Sequence, residues 1–281
     1  MIFELAGGTQ RTRDPATAAE WAKAQRFATH PIAQAHKLPV LIQGPTGTGK
    51  DALARAIFVW ARKALDDRNA KRSADYLALN CAALPDSLFE SELFGYKKGA
   101  YTGADRASPG AAESVGEGIL FLDEIGELSL SSQAKLLRFL ESREIRGLGE
   151  LTPRHFAGRC VFATHKDLPA MVAAGAFRED LYHRIAQAIV RTHALAARPM
   201  DVPCILQAII GELDLSARIA PSLSALLSAD LTTDGMALQL WRQLAEVCTG
   251  NVRHLRGAVL RAAITSDDPL HYGLILSAAA C

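Results

Sequence analysis

The stretch from Pro39 to Lys50 constrains this chain more than any other. The apolar run Val40-Leu41-Ile42 leads into Gly44-Pro45-Thr46-Gly47-Thr48-Gly49-Lys50, and helical spacing begins at Asp51. A strand, a glycine-rich turn and a helix in that order make a phosphate cradle. The glycines let backbone N–H groups approach phosphate oxygens, and the helix N-terminus adds positive potential. Lys50 is placed to reach the β and γ phosphates. The general pattern has Ser or Thr after the lysine to ligate magnesium, and this chain has Asp51 there, which makes Asp51 a candidate metal ligand.

A second stretch completes the chemistry. Ile119-Leu120-Phe121-Leu122 reads as a buried strand, and it ends in Asp123-Glu124. Two carboxylates at the end of an apolar strand are costly to bury unless a cation or a reacting water uses them. Asp123 is expected to hold Mg2+, directly or through water, and Glu124 to orient and polarise the water that attacks the γ-phosphate. ATP or a close relative is the expected ligand.

Short apolar runs alternate with helical stretches, which points to an α/β core with a parallel sheet. The candidate strands are Val40 to Gln43, Tyr76 to Asn80, Gly118 to Leu122, Cys160 to Thr164 and Ala188 to Arg191. After Pro199 the strand signals stop. Ile205 to Leu213, Ser222 to Leu227, Leu238 to Val247 and Val252 to Ile264 carry helical spacing, so the chain divides near 195–203. The expected organisation is an N-terminal extension over 1–39, an α/β ATPase part over 40–198 and a small helical lid with a tail over 199–281.

Charge balance excludes a simple electrostatic function, since 31 Lys+Arg against 30 Asp+Glu leave +1, and any nucleic-acid contact has to be local. Five scattered cysteines, without a C-x-x-C pair, read as reduced thiols rather than a disulfide or zinc framework. No apolar run approaches the ~18 residues that a bilayer requires. A cytoplasmic protein without a membrane partner is expected.

Between the two halves of the nucleotide site stands Glu90-Ser91-Glu92-Leu93-Phe94-Gly95-Tyr96-Lys97-Lys98-Gly99-Ala100-Tyr101-Thr102-Gly103-Ala104. This segment closely resembles the signature loop of the bacterial enhancer-binding proteins, the AAA+ ATPases that activate sigma-54 RNA polymerase. Their hallmark GAFTGA is GAYTGA here. An aromatic and a threonine flanked by glycines have no core to pack in and belong on a mobile loop. The resemblance covers about Val40 to Leu260 and implies an AAA+ P-loop fold, ATP with Mg2+, and a homo-oligomeric ring, a hexamer. It also implies a loop, Gly99, Ala100, Tyr101, Thr102, Gly103 and Ala104, that engages sigma-54.

The resemblance extends to single positions. Asn80 looks like the family's switch asparagine, which holds the catalytic glutamate away from water. Phe177-Arg178-Glu179-Asp180-Leu181-Tyr182-His183-Arg184 looks like its trans-acting arginine segment, and Gly250-Asn251-Val252-Arg253-His254-Leu255 like its sensor II stretch, with Arg253 signalling to the lid. Asp51 agrees with an acidic residue common in the family. Thr164-His165 occupies the sensor I place, where Thr164 is expected to face nucleotide and His165 departs from the usual Asn. The arginine- and glutamate-rich segment usual before the lid is shortened to Ala197-Arg198-Pro199-Met200-Asp201-Val202.

The stretch after Leu260 shows neither a helix-turn-helix pair nor a basic recognition helix, so promoter DNA is expected to be bound only weakly or indirectly. Two other readings compete with a sigma-54 activator. A general AAA+ remodeller would need a pore loop in place of the Gly99 to Ala104 segment. A non-catalytic, nucleotide-dependent scaffold has to account for intact Lys50, Asp123 and Glu124.

Overall fold

The computed structural model describes residues 2–5, 8–66, 75–101, 104–249 and 251–280. The chain forms two compact units. The larger comprises Lys23–Gln43 and Lys50–Arg191, the smaller Met1–Ala22, Gly44–Gly49 and Thr192–Cys281.

The larger unit is built on five parallel strands: β1 (Val40–Gln43), β2 (Tyr76–Asn80), β3 (Ile119–Asp123), β4 (Arg159–Thr164) and β5 (Ile189–Arg191). They lie in the order β5-β1-β4-β3-β2. The near-continuous apolar character of β1, β3 and β4 follows from their interior positions. All six residues of β4 are buried, whereas the edge strand β2 alternates between half-buried and exposed residues. Registers align the ends that matter: Asn80 lies opposite Asp123 across β2 and β3, and Phe162 opposite Leu122 across β4 and β3.

Helices pack on the sheet through apolar stripes at helical spacing. The helix Lys50–Asp66 buries Leu53, Ala54, Ile57 and Trp60. On the helix Leu130–Ser142, Leu136, Leu137 and Leu140 are buried with Gln133 among them. That helix starts at Ser129, whose hydroxyl accepts the Ser132 N–H at 3.3 Å. It stops at Arg143, a left-handed residue with φ +53°. The Arg143 guanidinium donates to Phe156 O at 2.9 Å and to Gly158 O at 2.6 Å, which fixes the chain leaving the helix.

The smaller unit gathers the helices Val202–Glu212, Pro221–Ser228, Gly235–Val247, Val252–Thr265 and Tyr272–Ala280 around Trp241, which is fully buried with Leu206, Leu223, Leu244, Leu255 and Val259. The last of these helices had no clear periodic signal in the sequence. It belongs to this core through Leu270, Ile275 and Ala279, and Arg261 donates twice to Ala278 O, at 3.0 and 2.8 Å.

A buried polar chain explains why Gly44–Gly49 groups with these helices. Arg198 donates to Thr48 O at 2.8 Å and lies 3.7 Å from Asp201. Asp201, 1% exposed, accepts from the Thr12 hydroxyl at 2.7 Å and from the N–H groups of Arg13 and Asp14 at 2.7 and 3.0 Å. Thr48 donates its one hydroxyl proton to Pro45 O at 2.8 Å, so Thr192 Oγ1, 2.7 Å away, is the donor in the Thr48–Thr192 pair.

Candidate active site

In the Gly44–Gly49 loop, Gly47 and Gly49 adopt φ +73° and +97°, a region that only glycine enters freely. A Cβ on Gly47 would fall 1.9 Å from Asn251 Oδ1, so glycine is required there twice over. Beside Gly49 the space is open, as a cradle for an anion needs. The Gly47 carbonyl accepts the Val252 N–H at 3.0 Å, which ties the loop to the helix that carries Arg253. Arg253 itself is exposed, and its N–H donates to the capping Asn251 Oδ1 at 2.7 Å.

Lys50 opens the following helix and is 7% exposed. Its Nζ lies 3.8 Å from Glu124 Oε1, which brings together two of the residues singled out in the sequence. At the end of β3, Asp123 Oδ1 accepts the Glu124 N–H at 3.0 Å, and Glu124 turns into the left-handed region at φ +53°. A non-glycine residue held there is costly, and it swings the Glu124 side chain off the line of the strand. Burial pushes the Asp123 carboxyl above its usual range, and the neighbouring charge of Glu124 adds to the shift. A carboxylate in that state gains from a cation. One such group, completed by phosphate oxygens, matches how Mg2+ is commonly held at nucleotide sites.

The remaining expected site residues spread more widely. Asp51 spends its oxygens on Arg55 Nε at 3.1 Å and on the Tyr76 hydroxyl at 3.3 Å. Burial, with the Asp51 charge next, raises the Tyr76 phenol. Asn80 Oδ1 accepts the Ala82 N–H at 3.0 Å, closing a turn after β2. Thr164 is 0% exposed and accepts the Lys166 N–H at 3.0 Å. His165 does reach the centre: its Nδ1 lies 2.7 Å from Glu124 Oε2, and its backbone N–H donates to the same oxygen at 3.3 Å.

Both expected trans arginines are engaged within the chain. Arg178 forms a two-point pair with Asp180, at 3.0 and 2.7 Å, and its N–H donates to Gln133 Oε1 at 2.9 Å. Arg184 donates to Leu140 O at 2.9 Å. Gln133, fully buried, also donates to Leu128 O at 2.8 Å and to Ala176 O at 3.2 Å, so one amide anchors the arginine segment.

The GAYTGA loop is rooted by the pairing of Gly95–Tyr96 with Ser108–Pro109 and by exchange of hydrogen bonds with Leu148. Gly99 sits at φ +79° and donates to Ala104 O at 2.8 Å, and the Ala104 N–H donates to Tyr101 O at 3.0 Å. Ala100 N–H donates to Lys97 O at 3.1 Å. Tyr101, 44% exposed, meets Tyr96 edge-on with ring centroids 5.1 Å apart. Thr102 and Gly103 lie outside the described residues.

Comparison with known proteins matches the sigma-54 interaction domain over residues 15–191. The chain belongs to this family. Hydrogenase transcriptional regulatory protein HoxA of Bradyrhizobium diazoefficiens is 42% identical over 232 residues, 83% of this chain and 44% of HoxA. The Nif-specific regulatory protein of Azotobacter vinelandii is 38% identical over 229 residues, 82% of this chain and 40% of that protein. The chain thus spans less than half the length of these relatives. Among solved structures, NtrX from Brucella abortus in complex with ATP superposes with a TM-score of 0.69 at 27% identity, covering 94% of this chain and 55% of that one. As a sigma-54 interaction domain the chain has an AAA+ fold.

Four residues that hold the phosphate loop or the arginine segment had no role assigned from the sequence: Thr192, Arg198, Asn251 and Gln133. Gln133 left a signal, since it is a polar residue on the stripe that continues with Leu136, Leu137 and Leu140. Arg198 and Thr192 left none, because their partner Thr48 lies far away in sequence.

Proposed function

We propose that this chain hydrolyses ATP and uses the nucleotide cycle to drive its Gly99–Ala104 loop against the sigma-54 factor of RNA polymerase, opening the closed promoter complex. The observation that carries this reading is Lys50 beside Glu124, next to Asp123, in a chain that also holds the GAYTGA loop. Backbone N–H groups of Gly44–Gly49 and the Lys50 ammonium bind the phosphates of ATP. Asp123 is the residue that would hold Mg2+, which neutralises phosphate charge when bound; Asp51 could join it only by giving up Arg55 and Tyr76.

Glu124 then acts on water. Its carboxylate accepts the water's hydrogen bond and draws off the proton as the oxygen attacks in line. The chain assembles as a ring, a hexamer, in which Arg178 and Arg184 of one subunit serve the nucleotide of the next. Each first has to release an internal partner, Asp180 and Leu140 O. Arg253, one residue beyond the Val252 bond to the phosphate loop, reports the γ-phosphate to the lid. Promoter DNA is contacted weakly or indirectly. None of the described helices is long and apolar enough to cross a membrane, and we assign the chain to the cytoplasm.

ATP turnover measured against chain concentration tests the enzymatic half of the proposal. Specific activity should rise with concentration as rings form. Lys50→Ala should lose nucleotide affinity, while Glu124→Gln should bind ATP and leave it intact. Turnover that is flat in concentration, or unchanged by Glu124→Gln, contradicts the proposal.

A further inference from the structure

The grip on Glu124 comes from an unexpected residue. The switch asparagine implied by resemblance, Asn80, commits Oδ1 to the Ala82 N–H, so that oxygen closes the turn after β2. Among the described residues, Glu124 Oε2 meets His165 twice, through its backbone N–H and its Nδ1, and His165 immediately follows β4. β4 pairs directly with β3, Phe162 lying opposite Leu122, so the continued register sets the end of β4 at Thr164 level with Glu124 and puts His165 one residue beyond, within reach of its side chain.

We propose that His165 is the positioning residue for Glu124, holding Oε2 through its Nδ1–H and backbone N–H so that Oε1 stays turned toward Lys50 and the phosphates. The inference rests on the ATPase reading above and adds a residue to it. Its physical basis is the inventory of donors. An ionised carboxylate only accepts, so the 2.7 Å contact fixes the imidazole tautomer with the proton on Nδ1. Two donors from one residue converge on one oxygen, which restrains rotation of the carboxyl group. The other oxygen, Oε1, is left on the side of Lys50 Nζ, 3.8 Å away. When the Lys50 ammonium turns to phosphate oxygens, its hold on Oε1 weakens and Oε1 becomes free to accept from water. His165 remains on Oε2, which keeps the base aimed.

The same geometry explains how a histidine can serve where the family resemblance implies asparagine. Imidazole Nδ1 and amide Nδ2 are each one bond from Cγ, so a donor occupies the same place in either side chain. The Asp123 and Lys166 side chains flank the pair without competing for it: Asp123 Oδ1 accepts the Glu124 N–H, and Lys166 donates to Glu127 Oε2 at 2.7 Å and to Gly126 O at 3.2 Å.

The test uses the full chain in three measurements. His165→Ala should lower kcat by about 10- to 100-fold, the scale of a misaimed catalytic group, while affinity for a fluorescent ATP analogue stays within about two-fold. His165→Asn, which restores a donor at the same distance from Cγ, should recover most of kcat. In urea unfolding without nucleotide, the midpoint shifts of His165→Ala and Glu124→Ala should be non-additive in the double variant, because the two changes remove one shared contact. Wild-type kcat in His165→Ala, a parallel loss of nucleotide affinity, no recovery in His165→Asn, or additive midpoints would each overturn the inference. Failure of the underlying ATPase reading looks different: wild type and Glu124→Gln would then turn over ATP equally, whatever stands at 165.

Discussion

Asp123 and Glu124 are adjacent in sequence but have opposed requirements. Asp123 carries a carboxyl raised by burial first and by the Glu124 charge second. An acid whose folded pKa is raised binds its proton more tightly in the native state, so its contribution to stability falls as pH rises through the carboxylate range. Asp123→Asn should therefore stabilise the nucleotide-free chain at neutral pH, by less than about 1 kcal/mol because the site is only partly buried, and so raise its melting temperature. At a pH low enough to protonate Asp123 the gain should vanish, while ATP turnover is lost at every pH. Calorimetry at two pH values checks this, and a destabilised Asp123→Asn at neutral pH would contradict it. Lys50, Asp123 and Glu124 could be singled out in the sequence because a lysine after a glycine-rich turn and two carboxylates after an apolar strand have few other uses, and the structure brings Lys50 within 3.8 Å of Glu124. The reach of His165 to Glu124 was not legible, since it depends on which strand lies beside β3, and 41 residues separate the pair.

At the scale of elements, all five core strands were readable: β1, β3 and β4 because interior strands need unbroken apolar runs, and the edge strands β2 and β5 because short apolar runs remain in them. The short pairs Gly95–Tyr96 with Ser108–Pro109 and Glu144–Ile145 with Arg154–His155 were not, for two-residue strands have no period to detect. Their role is to root the loop: Leu148, inside the second pair, donates to Gly95 O at 2.9 Å and accepts from Lys97 at 3.0 Å. The route from the nucleotide site to this root is short in the chain. Cys81 donates to Asp123 O at 2.9 Å, the turn closed by Asn80 follows, and the helix Asp86–Phe94 ends at Gly95. On the proposed reading, the loop at the far end of that route takes no part in the phosphate or water chemistry. Thr102→Ala should thus keep ATP turnover within about three-fold of wild type and lose sigma-54-dependent promoter opening by at least about ten-fold. Turnover assays paired with open-complex assays read both, and equal loss of the two would place the loop inside the ATPase machinery.

For the whole molecule, activity should depend on neighbours. Arg178 and Arg184 are tied to Asp180 and Leu140 O within their own chain, so the proposed ring would have to draw them from these partners. An arginine supplied in trans is worth roughly 10³ to 10⁵ in rate where it has been measured. Mixing Arg178→Ala chains with Glu124→Gln chains should restore some turnover, since mixed rings contain interfaces where an intact base faces an intact arginine. Absence of recovery at every ratio, with mixed rings seen by sizing, would count against supply in trans. The change in periodicity after Pro199 marked where helices replace strands, but nothing in the sequence indicated that Met1–Ala22 and Gly44–Gly49 group with Thr192–Cys281. The buried chain Thr12–Asp201–Arg198–Thr48, which fastens the phosphate loop, was not readable, because polar groups scattered over 189 residues have no local signature.

Capture of sigma-54 by the purified chain reads the proposed coupling of nucleotide state to partner without any intervening step. Immobilised sigma-54 is incubated with wild-type chain in ADP, in no nucleotide, and in ADP with a planar or tetrahedral mimic of the transferring γ-phosphate. Retention is expected with the mimic, release with ADP, and loss of retention in Thr102→Ala under the same conditions. Wild-type chain that hydrolyses ATP yet ignores sigma-54 in every nucleotide state would contradict it.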